Sequence, residues 1–199
     1  MEKETVLSSI EKFAVENKVP ILLPESRTVL KEIIKSRKPQ NILEIGTAIG
    51  YSGCLMLLNS HESKLTTIEK DSNMIEVAKS NFQHVDLMDR VFLLHGDATE
   101  IIKNLPKKYD FIFLDGPKSQ YVHQLPFLLD ILNEKGLILA DNVCFRGLVF
   151  SKSDLPKKNK YKTIVKNLRK FIDDVKNNPS LKYEILEIGD GLMIIQKAE

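Results

Sequence analysis

The chain has 199 residues, 43% of them hydrophobic and 28% charged, with a net charge of +2; this suits one α/β domain and excludes a disordered tail. No apolar run approaches the ~20 residues of a membrane span, and the N-terminus lacks the apolar block of a signal peptide. Two cysteines, Cys54 and Cys144, are too few for a disulfide framework or a zinc site, so a cytoplasmic location with reduced thiols is expected.

Charged and apolar residues alternate at helical spacing over 3–16, which predicts an amphipathic helix. Residues 17–24 read as an extended segment. Pro24 opens a second helix that runs to about Ser36, before Lys38-Pro39 stops it. Strands and helices then alternate. Strands are expected at 41–45, 64–69, 91–95, 111–115 and 136–141, and helices at 50–60, 72–81, 98–104, 118–134 and 160–177. A loop is expected over 143–159. The C-terminal runs 183–188 and 192–197 flank a Gly-Asp-Gly turn and read as an antiparallel hairpin. Five βα units and a closing hairpin predict a doubly wound, mostly parallel sheet with an antiparallel edge. One domain over 1–199 is expected, with N-terminal helices to residue 38 and an α/β core from residue 39.

Such sheets bind ligands outside the carboxyl ends of their strands. The first strand ends in Leu43-Glu44-Ile45-Gly46-Thr47-Ala48-Ile49-Gly50-Tyr51-Ser52. This is neither the dinucleotide fingerprint nor a phosphate loop, and the glycine pair alone also fits an ordinary strand-to-helix turn. Glu44 adds weight: an acid in an apolar strand needs a partner, which a cationic amino-acid ligand would supply. Glu69, closing the second strand, has the spacing of an acid that bonds a ribose diol. Asp97 follows the third strand, where it can cap a helix, contact an adenine amino group, or do both. Asp115 follows the fourth strand and Asp141-Asn142 the fifth. Two Asp and one Asn at adjacent strand ends are three hard oxygen donors for one cation such as Mg²⁺, Mn²⁺ or Ca²⁺. Lys118 lies three residues beyond Asp115, where an amine can take a proton from a metal-bound hydroxyl.

The segments LEIGTAIGYS (43–52), IEKD (68–71), GDA (96–98), FIFLDGPKSQY (111–121) and ADNV (140–143) together resemble the cation-dependent O-methyltransferases, the group of catechol and caffeoyl-CoA methyltransferases. The resemblance implies a Rossmann-like class I methyltransferase fold and S-adenosylmethionine as cofactor. It implies that Asp115, Asp141 and Asn142 bind Mg²⁺ (or Mn²⁺). Leu22, Glu44, Gly46, Tyr51, Ser52, Glu69, Ala98 and Asp115 would contact the cofactor, with Asp97 beside them. Lys118 would be the base, with Asp115 at its side. The N-terminal helices resemble those the family uses to dimerise, so a homodimer is expected.

From Lys157 to Lys170, fourteen residues hold seven basic side chains and no acid. A solvated helix face is the usual reason for a charge run. The missing acids, and a position just after Asp141-Asn142, favour contact with a phosphate backbone. FRG after DNV, then YKTIVKNLRKF and IGDGL, resemble the bacterial tRNA 5-hydroxyuridine methyltransferases (the TrmR group). That implies the wobble position of the tRNA anticodon as partner; from the charge pattern, Arg146, Lys157, Lys158, Lys160 and Lys162 are expected on the tRNA, with Arg146 or Tyr121 against the nucleotide. The competing expectations are a small catechol or phenol as acceptor, and a nucleic-acid-binding protein that has lost catalysis.

Overall fold

The computed structural model describes residues 2–106, 108–151 and 159–198. They form two compact units, Met1–Ala98 and Thr99–Glu199.

In the first unit, helices α1 (Glu2–Glu16) and α2 (Pro24–Arg37) precede strand β1 (Asn41–Ile45), helix α3 (Tyr51–Asn59), strand β2 (Lys64–Glu69), helix α4 (Ser72–His84) and strand β3 (Val91–His95). Pro24 sits at the start of α2, where its fixed φ and missing N–H cost nothing. Lys38 ends the helix in a left-handed turn whose N–H bonds Ile34 O at 2.9 Å. The strands are parallel in the order β3-β2-β1, with Leu43 opposite Thr66 and Thr66 opposite Phe92. Strand β1 is apolar except at Asn41 and Glu44, and Ile42 through Ile45 are buried, as a strand covered on both faces requires. A Cβ at Gly53 would lie 2.8 Å from both Leu65 and Phe82, so only glycine lets α3 lie this close to β2 and α4.

In the second unit, α5 (Ala98–Ile102, entering from the first) leads to β4 (Tyr109–Leu114). A 3₁₀ turn (Lys118–Gln120), α6 (Tyr121–Ile131), β5 (Leu132–Asp141), α7 (Asn159–Lys176), β6 (Leu181–Leu186) and β7 (Leu192–Lys197) follow. The strand order is β4-β5-β7-β6: β4 and β5 are parallel, and β7 is antiparallel to both neighbours. Helix α7 buries Val165, Leu168, Phe171, Ile172 and Val175, each worth roughly 1.5–3 kcal/mol; Ile164, expected in the same stripe, is half-buried.

Two expected boundaries move. The helix expected over 118–134 is a 3₁₀ turn and then α6, which ends at Ile131. Leu132 is extended (φ −77°, ψ 131°) and pairs with Tyr109, with a register shift before Phe111 pairs Leu137. Ladder pairing outweighs local helix propensity there. In the hairpin, β6 stops at Leu186, opposite Leu192, two residues before its expected end. Asp190 and Gly191 are engaged elsewhere: Val143 N bonds Gly191 O at 3.0 Å and Cys144 N bonds Asp190 O at 2.9 Å. The loop expected over 143–159 is described as turns up to Phe150, and residues 152–158 lie outside the described residues.

Candidate active site

Most of the expected cofactor residues lie at or just after the strand ends of the first unit; Leu22 lies between α1 and α2, and Asp115 belongs to the second unit. Glu44 is fully buried, and its partners include two hydroxyls. Ser52 Oγ donates to Oε1 at 2.5 Å and Thr67 Oγ1 to Oε2 at 2.6 Å. Thr67 spends its one proton on the carboxylate, so Thr47 Oγ1, 2.6 Å away, donates to Thr67. This buried chain ties β1, β2, the glycine turn and α3 together. Thr47 and Thr67 were not singled out from the sequence, and in KLTTIE nothing sets Thr67 apart from Thr66.

Glu69 is half-buried and held by three backbone N–H groups. Oε2 accepts from Ala48 at 2.8 Å, and Oε1 from Lys70 at 2.8 Å and Asp71 at 2.9 Å. Ala48 turns its N–H to Glu69 from a left-handed φ of 45°, rare for a residue with a Cβ. Gly46, at φ 98°, starts the same turn and bonds Ile68 O at 3.0 Å. Each carboxylate oxygen has two acceptor positions, so Oε2 retains one for a ligand hydroxyl.

The Tyr51 hydroxyl faces the N-terminal helices. It donates to Glu11 Oε1 at 2.6 Å and accepts from Arg27 Nη1 at 2.8 Å, and Arg27 also bonds Glu11. Burial, reinforced by Glu11 and opposed by Arg27, pushes this hydroxyl up to about 12. Leu22 is buried in the segment between α1 and α2. Asp97 is exposed and pairs with Lys70 Nζ at 3.2 Å, and Ala98 beside it is half-buried.

The expected metal residues gather in the second unit. Asp115 directly follows β4, Asp141 ends β5, and Leu114 pairs Ala140 in the parallel register. Lys118 Nζ lies 2.6 Å from Asp115 Oδ1, with both side chains mostly covered. Asp141 is 3% exposed, and Asn142 N donates to its Oδ1 at 2.7 Å. Its carboxyl is pushed up to about 7, by burial first and then by the Asp115 charge. Asn142 takes a left-handed φ of 57°, a conformation its short amide tolerates.

Tyr121 is not a nucleotide contact. It is fully buried, and its hydroxyl lies 2.8 Å from Leu114 O and 3.1 Å from Asp141 O, tying the ends of β4 and β5 together. Burial, with Asp115 and Asp141 adding, raises its pKa. The segment after Asn142 is fixed by the hairpin turn: Asp190 Oδ1 accepts from Arg146 N at 2.5 Å. A Cβ on Gly191 would fall 2.2 Å from Cys144 Sγ, so no side chain fits there.

The basic run is less uniform than its composition. Lys162 and Lys166 are exposed on α7, as is Arg146 on the preceding loop. Lys170 pairs with Asp174 at 2.8 Å. Arg169 spends its guanidinium on backbone carbonyls: Val149 O at 2.9 Å, Ser151 O at 2.9 Å and Leu148 O at 3.2 Å. Lys157 and Lys158 lie outside the described residues, as does the side chain of Lys160.

The O-methyltransferase family profile matches residues 1–198. The chain belongs to this family. As a member it is an S-adenosylmethionine-dependent O-methyltransferase with the Rossmann-like class I fold, a mostly parallel sheet closed by an antiparallel hairpin. A Staphylococcus aureus protein provisionally named a caffeoyl-CoA O-methyltransferase superposes with a TM-score of 0.89 at 32% identity, covering 96% of this chain and 92% of that one. The S-adenosylhomocysteine-bound methyltransferase PaMTH1 of Podospora anserina superposes at 0.88 with 26% identity, covering 98% and 88%. Bos taurus catechol O-methyltransferase is 27% identical over 155 residues; the match takes in 73% of this chain but only 57% of the bovine protein. No helix among the described residues of this methyltransferase is long and apolar enough to cross a membrane.

Proposed function

We propose that this methyltransferase transfers the methyl group of S-adenosylmethionine to the 5-hydroxyl of 5-hydroxyuridine at the tRNA wobble position, giving 5-methoxyuridine in the cytoplasm. Asp115, Asp141 and Asn142 would hold the divalent cation, Mg²⁺ or Mn²⁺, and Lys118 would be the base. The observation that carries this reading is Asp141. A carboxyl that is 3% exposed, with Asp115 beside it, is driven up to about 7, and a cation relieves that repulsion as well as a proton does. Two carboxylates and an amide are oxygen donors of the kind hard cations take, so the residues present fit the ion.

When bound, the cation supplies Lewis acidity that lowers the pKa of the acceptor hydroxyl. The chain's own residues do the rest by placement. Asp115 aims the Lys118 amine, which in its deprotonated form takes the hydroxyl proton. Glu69 offers Oε2 to a ribose hydroxyl. The hydroxyl chain on Glu44, with Ser52, fixes the glycine turn that begins at Gly46. Tyr51, Leu22, Asp97 and Ala98 complete the proposed cofactor contacts.

The tRNA assignment is supported by exposed Arg146, four residues after Asn142, and by exposed Lys162 and Lys166, which suit phosphate contacts. In 5-hydroxyuridine the O5 hydroxyl adjoins the O4 carbonyl, a vicinal oxygen pair like that of a catechol, and an unpaired wobble base can be splayed into a pocket. Exposed Phe13 and Val15 on α1 support a homodimer through the N-terminal helices, which sedimentation would test. The bovine catechol relative favours a second reading, in which a small catechol is the acceptor. Nucleoside mass spectrometry of tRNA from a deletion strain decides between them. The tRNA reading expects 5-methoxyuridine and its derivatives to vanish while 5-hydroxyuridine accumulates. An unchanged nucleoside profile transfers the assignment to the catechol.

A further inference from the structure

We infer that Asn167 and Arg169 on α7 are positioning residues that hold Lys118 and Arg146 in place for the acceptor; the inference rests on the roles of Lys118 and Arg146 proposed above. Asn167 Nδ2 donates to Ser119 O at 2.8 Å. Ser119 adjoins Lys118 in a three-residue 3₁₀ turn closed by the bond from Gln120 N to Pro117 O at 2.8 Å. So short a turn has little hydrogen bonding of its own, and Asn167 supplies an anchor from a long helix.

Arg169 grips the other segment. Its fork meets three carbonyls, of Leu148, Val149 and Ser151, a set that a planar guanidinium matches and an ammonium does not. The loop it holds needs holding: Phe145 and Arg146, both with a Cβ, take left-handed φ of 42° and 57°. Such backbone persists only where the surroundings over-determine it. Asp190 fixes the loop at the Arg146 amide, and Arg169 fixes it beyond. Side chains two residues apart leave a helix ~200° around its axis, so Asn167 and Arg169 reach two different segments. Buried Val165, Leu168 and Phe171 anchor the helix that carries them.

The division of labour predicts a split in kinetics. The full chain is assayed with S-adenosylmethionine and either protocatechuate or total tRNA from a strain lacking the gene. Arg169→Ala is expected to raise the acceptor KM about tenfold with kcat within about twofold, and Asn167→Ala to lower kcat about tenfold at a nearly constant KM. S-adenosylhomocysteine affinity, by calorimetry, stays at the wild-type value in both. Amide exchange quickens at Leu148 and Val149 in the first variant and at Gln120 in the second, with the strand amides unchanged. Arg169→Lys, which keeps the charge but loses the fork, carries the same KM defect and serves if the alanine variant does not fold. Parallel changes in kcat and KM, a fall in S-adenosylhomocysteine affinity, or faster exchange throughout would reduce α7 to a scaffold and overturn the inference. Lys118→Met separates the two readings. If it leaves kcat intact, the base assignment falls; if it abolishes turnover while Asn167→Ala does not slow it, the positioning role falls. If the wild type methylates neither acceptor, wild-type exchange rates at Gln120, Leu148 and Val149 in the variants overturn the inference.

Discussion

The strand ends of the two units use carboxylates in opposite ways. In the first, Glu44 and Glu69 are surrounded by donors, two hydroxyls on one and three backbone N–H groups on the other. In the second, Asp141 has one backbone donor and Asp115 as a neighbour, and its carboxyl rises to about 7. A carboxylate already satisfied by neutral donors makes a rigid acceptor for a neutral ligand group. Crowded carboxylates with few donors store electrostatic repulsion that a cation can release. On the proposed reading, the first kind serves the cofactor and the second the cation.

The largest expected effect comes from breaking the second half. Asp141→Asn should cut methyl transfer by at least about a hundredfold, since a Lewis acid contributes several kcal/mol to such a step. The same variant, free of cations at pH 8, should melt above the wild type, because a repelled buried charge is gone. A lower melting temperature there would show that Asp141 is not under repulsion. Glu69→Ala tests the first half. It should weaken S-adenosylhomocysteine binding about tenfold by calorimetry, the worth of one hydrogen bond to a charged group, and leave cation affinity unchanged.

The pH dependence sharpens the contrast. Asp141 keeps its proton to about 7 in the folded chain, against an ordinary 3.8, so between those values the unfolded chain binds fewer protons. Stability of the cation-free protein therefore falls as pH rises from 3.8 to about 7. A cation must displace that proton, so Mg²⁺ affinity should climb by up to about tenfold per pH unit below this range's upper end and level off above it. Calorimetric titrations showing flat affinity would break the link. The smallest effect concerns the basic helix. Lys162→Glu with Lys166→Glu should weaken tRNA binding a few-fold and flatten its salt dependence by about 0.9 per lost phosphate contact. Lys170→Ala should do neither, because Lys170 is already paired with Asp174.

Strands β1, β3 and β4 and the 136–141 part of β5 were legible because each is a near-continuous apolar run between turn signals, and β2 because Leu65, Thr66, Thr67 and Ile68 favour a strand. The expected site residues stood at strand ends, where an acid in apolar surroundings is conspicuous. Their partners were not legible. Thr67 bonds Glu44 across two strands, from twenty-three positions away. Arg169 counted as one more charge in a basic run until its three carbonyls came into view. Arg90 behaves likewise, bonding the carbonyls of Leu57, Ser60, His61 and Ser63. A cation bound to backbone oxygens looks the same in sequence as one facing solvent.

By itself, the sequence determined the order of elements, the family, and the acids and amide at the strand ends, because apolar periodicity and residue chemistry are local properties. Tertiary structure alone decided that Leu132 joins a strand, that Tyr121 is interior, and that Asn167 and Arg169 brace two loops. Those outcomes depend on which groups meet across long stretches of chain, and no local pattern records such meetings.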